Sequence, residues 1–141
     1  MDGGGLQMFE NDLKNFNNKE EMAQFALAIV AGVASRCKRN NLPCRIALSG
    51  GTTPDALFKL LAKDAGKTLP LDLIDWFWVD ERLVPHECKD SNYGRAKALF
   101  IDKLNIPAER LHPVQTEVKA PAECYAKELE SVFGSQSVPR F

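Results

Sequence analysis

Apolar positions fall into alternating blocks along the chain, some recurring every three to four residues and some continuous, and together they predict a β-α-β-α-β-α order. A short strand is expected over 6–9, after a Gly-rich start. A helix follows over 19–38, where Met22, Phe25, Ala26, Ile29, Val33 and Cys37 return at helical spacing. Asn18 stands at its N-cap with Glu21 three residues on, and Asn40, Asn41 and Pro43 end it. Cys44–Leu48 reads as a buried strand despite Arg45, and it runs straight into Ser49-Gly50-Gly51-Thr52-Thr53-Pro54. Thr53 suits the cap of the next helix and Pro54 its first turn. Leu57, Phe58, Leu60 and Leu61 give that helix an apolar face, fading near Gly66. Residues 74–79 (Ile-Asp-Trp-Phe-Trp-Val) have strong β composition, with Trp76 and Trp78 on one face for packing.

That strand stops abruptly at Asp80-Glu81-Arg82, and a polar loop covers 85–91. A third helix is expected over 92–104, with Tyr93, Ala96, Phe100 and Leu104 on one side. A short strand over 111–114 and a helix over Pro121–Phe133, carrying Tyr125, Ala126, Leu129 and Phe133 and ended by Gly134, complete the pattern. Alternation of this kind defines an α/β fold, a Rossmann-like parallel sheet between helical layers. Ligands of such sheets bind beyond the carboxyl ends of the strands. Both unusual polar clusters follow the two best strands, where that rule puts a ligand.

Composition narrows the field. The 141 residues fit one domain, and 45% hydrophobic with 26% charged residues excludes disorder. Eighteen Lys+Arg against 19 Asp+Glu leave a net charge of -1, without the basic footprint of a nucleic-acid or anionic-membrane partner. Cys37, Cys44, Cys88 and Cys124 show neither C-x-x-C nor zinc-finger spacing, and reduced thiols are expected. With no signal peptide in evidence and an apolar stretch over 25–34 too short to span a bilayer, a cytoplasmic location is expected.

The glycines of Ser49-Gly50-Gly51-Thr52-Thr53-Pro54 let a ligand approach backbone N–H groups at a helix start, and the Thr hydroxyls can donate to an anion such as phosphate. A plain tight turn with a threonine cap is the competing reading, since the loop is neither a Walker A nor a G-x-G-x-x-G motif. In Asp80-Glu81-Arg82, the Arg82 fork suits phosphate, and the carboxylates suit sugar hydroxyls or the arginine itself. A solvated loop with a surface ion pair is the alternative. Ser91 is a natural N-cap, and Asn92 at a helix start can present its amide to a ligand. His86 with Cys88 is one loop pair and not a metal site, and His112 reads as a packed or surface histidine. No G-x-S-x-G elbow supports a hydrolase triad.

Taken together, Leu48-Ser49-Gly50-Gly51-Thr52-Thr53-Pro54, Trp78-Val79-Asp80-Glu81-Arg82-Leu83-Val84-Pro85 and Asp90-Ser91-Asn92-Tyr93 resemble the 6-phosphogluconolactonase family in order and spacing. The D-E-R-x-V-P element followed by S-N is the most specific part. The resemblance implies a phosphosugar isomerase/lactonase-like fold and hydrolysis of 6-phospho-D-glucono-1,5-lactone to 6-phosphogluconate, in the oxidative pentose phosphate pathway, without cofactor or metal. It places Ser49, Gly50, Gly51, Thr52 and Thr53 at the phosphate, Arg82 and Asp80 at the reacting substrate, and Ser91 and Asn92 in the pocket lining.

The family's general base is a histidine in a G-x-G-x-D-G-H-T-A-S-type segment, and neither His86 nor His112 lies in one. The resemblance therefore reads residues 1–141 as a single α/β domain, the N-terminal portion of a longer, truncated lactonase domain, with the base expected beyond Phe141. Little activity is expected of it alone, together with binding of the missing C-terminal half or self-association through an exposed sheet edge. Histidine is the side chain best matched to activating water near neutral pH. Two readings stay open beside hydrolysis: a glucosamine-6-phosphate deaminase or phosphosugar isomerase of the same fold, and a non-catalytic sugar-phosphate-binding protein.

Overall fold

Ile74–Trp78, the most buried strand, occupies the middle of a parallel sheet of order β1-β2-β3. The computed structural model describes residues 13–65, 69–135 and 138–141. Strand β1 is Cys44–Leu48, β2 is Ile74–Trp78 and β3 is Leu111–His112. Register runs from Cys44↔Ile74 to Leu48↔Trp78, and from Trp76↔Leu111 to Phe77↔His112. Helix α1 (Lys19–Arg39) precedes β1. Helix α2 (Asp55–Leu60) continues into a π turn, Leu61–Ala65. Helix α3 starts as Asn92–Ala96, widens through a π turn at Lys97–Ile101 and closes with Asp102–Leu104. Helix α4 is Pro121–Phe133. The strand expected over 6–9 lies outside the described residues, as does Gly66.

Alternation along the strands separates two faces. Cys44, Leu48, Ile74, Trp76 and Trp78 join Ala34 of α1, Phe58 and Leu61 of α2 and Ala96, Phe100 and Ile101 of α3 in one dry core. Trp76 and Phe100 are fully buried and meet edge to face at 5.3 Å. The opposite face is sparser and polar. Phe77 stacks on the His112 ring at 4.4 Å and touches Phe133 of α4 and Phe141. Arg45 lies 4.5 Å over the Phe133 ring and donates to the Val132 carbonyl, while Arg110 pairs with Asp75 at 2.9 Å. Helices on both faces make the three-layer α/β architecture the alternation predicts.

The Asn18 cap forms as expected, its side chain accepting from Glu21 N at 2.8 Å. The face α1 buries is rotated from the expected one. Ala23 and Ala34 are buried with Leu27, Val30 and Cys37 beside them, whereas Ile29 is exposed. The helix is apolar almost all round over 25–34, so its small residues decide which side approaches the sheet closely. Helix α2 starts one residue later than expected. Pro54, not Thr53, takes the cap position, and no side chain caps it. The strand expected over 111–114 holds only two residues, because Pro113 has no N–H to continue the ladder. The Tyr125 hydroxyl takes over, accepting from Trp78 N at 3.1 Å and donating to Trp78 O at 3.0 Å.

Candidate active site

Parallel pairing ends with Leu48 opposite Trp78, and Val79 N still donates to the Leu48 carbonyl at 2.9 Å. The two polar loops therefore leave the sheet side by side at its carboxyl edge. In the first, Gly50 is demanded by close approach: a Cβ there would lie 2.1 Å from the Asn92 carboxamide oxygen. Gly51 is demanded by the backbone, with φ 77°, and open space lies where its Cβ would be. Thr52 and Thr53 are exposed, and Asp55 N donates to the Thr52 carbonyl at 3.3 Å. Among the described residues the side chains of Ser49, Thr52 and Thr53 make no hydrogen bond.

The second loop is heavily bonded to itself. The Glu81 carboxylate accepts from Asn92 N at 2.7 Å and Arg82 N at 2.8 Å through Oε1, and from Tyr93 N at 2.9 Å and Ser91 Oγ at 3.1 Å through Oε2. Ser91 Oγ in turn accepts from Gly94 N at 2.9 Å. The first three N–H groups of α3 are thus satisfied by a serine cap and a carboxylate brought from the loop after β2, with its negative charge at the positive end of the helix. Asn92 Nδ2 donates to the Asp80 carbonyl at 3.0 Å, so one buried carboxamide touches Gly50 and holds Asp80. Among the described residues the Asp80 carboxylate and the Arg82 guanidinium have no partner.

Two further ties fix the frame. Arg95 of α3 forks onto Asp55 of α2, Nε to Oδ1 at 2.6 Å and Nη2 to Oδ2 at 2.5 Å. The hydrogen bond from Arg95 holds the Asp55 carboxyl below the ordinary carboxylate range, and the same bond raises Arg95. Gly94 lets the polar loop pass over α3, since a Cβ would lie 2.0 Å from the His86 carbonyl oxygen. His86 Nε2 meets the Val114 carbonyl at 2.8 Å, and Thr116 Oγ1 donates to the Val84 carbonyl at 2.7 Å.

Of the expected site residues, Gly50, Asp80, Ser91 and Asn92 lie within one connected network. Glu81 differs from its expected use: it binds four protein donors and is not left for a sugar or for the Arg82 side chain. Ser91 is a buried cap with its hydroxyl engaged on both sides. His112 Nδ1 meets Glu128 at 2.6 Å on the Phe77 face of the sheet. Neither the Glu81 clamp on α3 nor the Asp55–Arg95 fork has a short-range signature, the three α3 donors to Glu81 lying 10 to 12 residues away and Arg95 lying 40 from Asp55. Among the described residues no group of three or more His, Cys, Asp and Glu is arranged to hold a metal.

A parallel sheet with a glycine turn and a helix-anchored arginine loop at adjacent carboxyl ends defines an open α/β domain, the architecture in which ligands bind beyond the strand ends. The chain belongs to the glucosamine-6-phosphate isomerase/6-phosphogluconolactonase family, whose model matches residues 17–141. It is 35% identical over 119 residues to the 6-phosphogluconolactonase of Synechocystis, covering 82% of this chain and 48% of that one. The Homo sapiens 6-phosphogluconolactonase is 30% identical over 131 residues, with 89% and 51% covered. Among solved structures, the devB protein superposes with a TM-score of 0.81 at 31% identity, over 91% of this chain and 54% of that one. The 6-phosphogluconolactonase from Trypanosoma cruzi gives 0.75 at 28%, over 92% and 53%. The chain spans about half the length of the curated relatives it matches.

Proposed function

We propose that the crevice binds a 6-phosphorylated sugar lactone and forms the phosphate- and substrate-holding part of a 6-phosphogluconolactonase. The contact between Gly50 and Asn92 carries this reading, because it joins both loops at the strand ends while the Arg82 guanidinium and the threonine hydroxyls have no partner among the described residues. Backbone N–H groups of Gly50, Gly51 and Thr52, with the hydroxyls of Ser49, Thr52 and Thr53, take the phosphate. Arg82 forks onto the phosphate or onto the oxyanion that develops at the lactone carbonyl. Asp80 orients sugar hydroxyls, and Ser91 and Asn92 act by positioning Glu81 and Asp80.

In the hydrolysis, water attacks the C1 carbonyl carbon, the bond from C1 to the ring oxygen breaks, and that oxygen takes up a proton. The water needs a base near neutral pH, worth about 10²–10⁴-fold. Both histidines of the chain are engaged elsewhere, His86 with Val114 and His112 with Glu128. The reading assigns the base to the part of the relatives' length that this chain does not span, and a binding partner carrying that part belongs to the same proposal. A cytoplasmic location fits four cysteines that are all free thiols and the lack, among the described residues, of a helix long and apolar enough to cross a membrane.

Lactone hydrolysis corrected for the spontaneous rate tests the assignment, with glucosamine 6-phosphate as competing substrate. The expected result is binding of 6-phosphogluconate with little acceleration by the 141 residues alone. Robust lactone turnover by them would place the base within this chain, and deamination of glucosamine 6-phosphate would overturn the choice of reaction.

A further inference from the structure

The far edge of the sheet, away from the candidate site, holds a pair of cysteines that the proposed chemistry leaves unused. Helix α1 ends in a tight reversal. Asn41 adopts a left-handed conformation at φ 53°, its N–H bonds the Lys38 carbonyl at 3.3 Å, and Leu42 N bonds the Cys37 carbonyl at 2.9 Å. This is the Schellman pattern, with Cys37 on the helix side of the reversal and Leu42 on the exit side. Two residues after Leu42 the chain enters β1 at Cys44, so the motif returns the first strand residue onto the last turn of the helix. Cys37 packs against the core cluster that Cys44 belongs to. Both are free, Cys37 half-buried and Cys44 only 1% exposed.

We propose that Cys37 and Cys44 are a modification site, closing to a reversible intramolecular disulfide when the protein meets a hydroperoxide. The roles follow from access. Burial is the main cause pushing the Cys44 thiol up to about 12, so it stays protonated, while Cys37 faces solvent and reacts first. The Cys37 thiolate attacks a peroxide oxygen, breaking the O–O bond and forming a sulfenic acid. The Cys44 sulfur then displaces that hydroxyl: the S–S bond forms, the S–O bond breaks, and the Cys44 proton leaves with the hydroxyl as water. Two thiols lose two electrons and the peroxide gains them. The reversal matters because a disulfide forms only between closely apposed side chains, and it turns the start of β1 back toward the last turn of α1, where Cys37 packs on the cluster that holds Cys44.

The test uses the folded chain with Cys88→Ser and Cys124→Ser, which leaves this pair alone. Hydrogen peroxide should cost most chains the mass of two hydrogen atoms and both alkylatable thiols, as monomers, with full return on adding dithiothreitol. Tryptic digestion should yield residues 37–38 linked to residues 40–45. In Cys37→Ser, Cys44 should resist the same peroxide. Oxidation of Cys37 to the sulfinic acid with Cys44 still alkylatable after unfolding would overturn the proposal. A disulfide-linked dimer in place of the internal bond would overturn it as well. The peptide map decides between these even if Cys37→Ser folds poorly.

Discussion

The two loops at the strand ends are built in opposite ways. The loop after β1 is nearly bare: two glycines, hydroxyls without partners among the described residues, and backbone shaped by the positive φ of Gly51. The loop after β2 is bound to α3 by one carboxylate that takes four donors and by a carboxamide that reaches Asp80. Adjacent residues of a charged triplet thus divide the work. Glu81 is consumed by the fold, and that rigid attachment presents Arg82 with its guanidinium free. A ligand-binding arginine gains when its backbone is fixed beforehand, since less freedom is lost on binding.

The sharpest way to break this division is at Arg82. Arg82→Ala should weaken 6-phosphogluconate binding by about 2–4 kcal/mol, with folding stability unchanged within about 0.5 kcal/mol. Arg82→Lys should recover only part, because an ammonium keeps the charge and loses the fork. Titration calorimetry paired with denaturant unfolding reads both quantities. An Arg82→Ala protein as destabilised as a Glu81 variant would erase the contrast.

Glu81→Ala should act in the reverse sense, costing about 2–3 kcal/mol of stability by leaving helix N–H groups without their carboxylate. Glu81→Gln should recover little, because an amide offers one acceptor oxygen and turns its nitrogen toward the remaining donors. Urea midpoints measure both. A Glu81→Gln protein as stable as the parent would show that charge and full acceptance are not what holds the loop.

Gly50→Ala probes the seam between the loops, where overpacking against the Asn92 carboxamide should cost about 1–3 kcal/mol. Removing the obstacle with Asn92→Ala should make the double variant less unstable than the summed single effects. Simple additivity in that cycle would mean the two residues do not meet.

The smallest effect belongs to the Asp55–Arg95 fork, which is partly exposed, so Arg95→Met should cost about 1 kcal/mol or less. Asp55 is lowered in the folded state, so its contribution is present above the ordinary value of 3.8 and is lost as pH falls through the folded value. Acid unfolding curves of the parent and of Arg95→Met should converge at low pH. Curves that stay parallel through the acid range would assign the fork no titrating role.

Much of this was legible in the sequence because the signals are local. Strand composition marked Ile74–Trp78, period marked α3, and the glycines and threonines marked the first loop. What escaped depends on distance along the chain or on competition between equal choices. Nothing near Glu81 says that its carboxylate caps a helix starting at Asn92, and the serine at position 91 looks sufficient by itself. The rotated face of α1 escaped because its apolar stripe is nearly continuous, leaving the choice to tight packing at Ala23 and Ala34. Strand β3 is short because Pro113 ends its ladder, a local signal, whereas the Tyr125 hydroxyl that takes up the freed Trp78 groups lies in another element and leaves no local mark.

The most direct test of the central claim follows the backbone amides of the ¹⁵N-labelled chain as 6-phosphogluconate is added. The account predicts saturable shifts at Gly50, Gly51 and Thr52 together with the Arg82 guanidinium, suppressed in Arg82→Ala, while the amides of Asn92 and Tyr93, held by Glu81, move little. Saturable shifts confined to other regions, or shifts at the glycine loop that persist unchanged in Arg82→Ala, would contradict it.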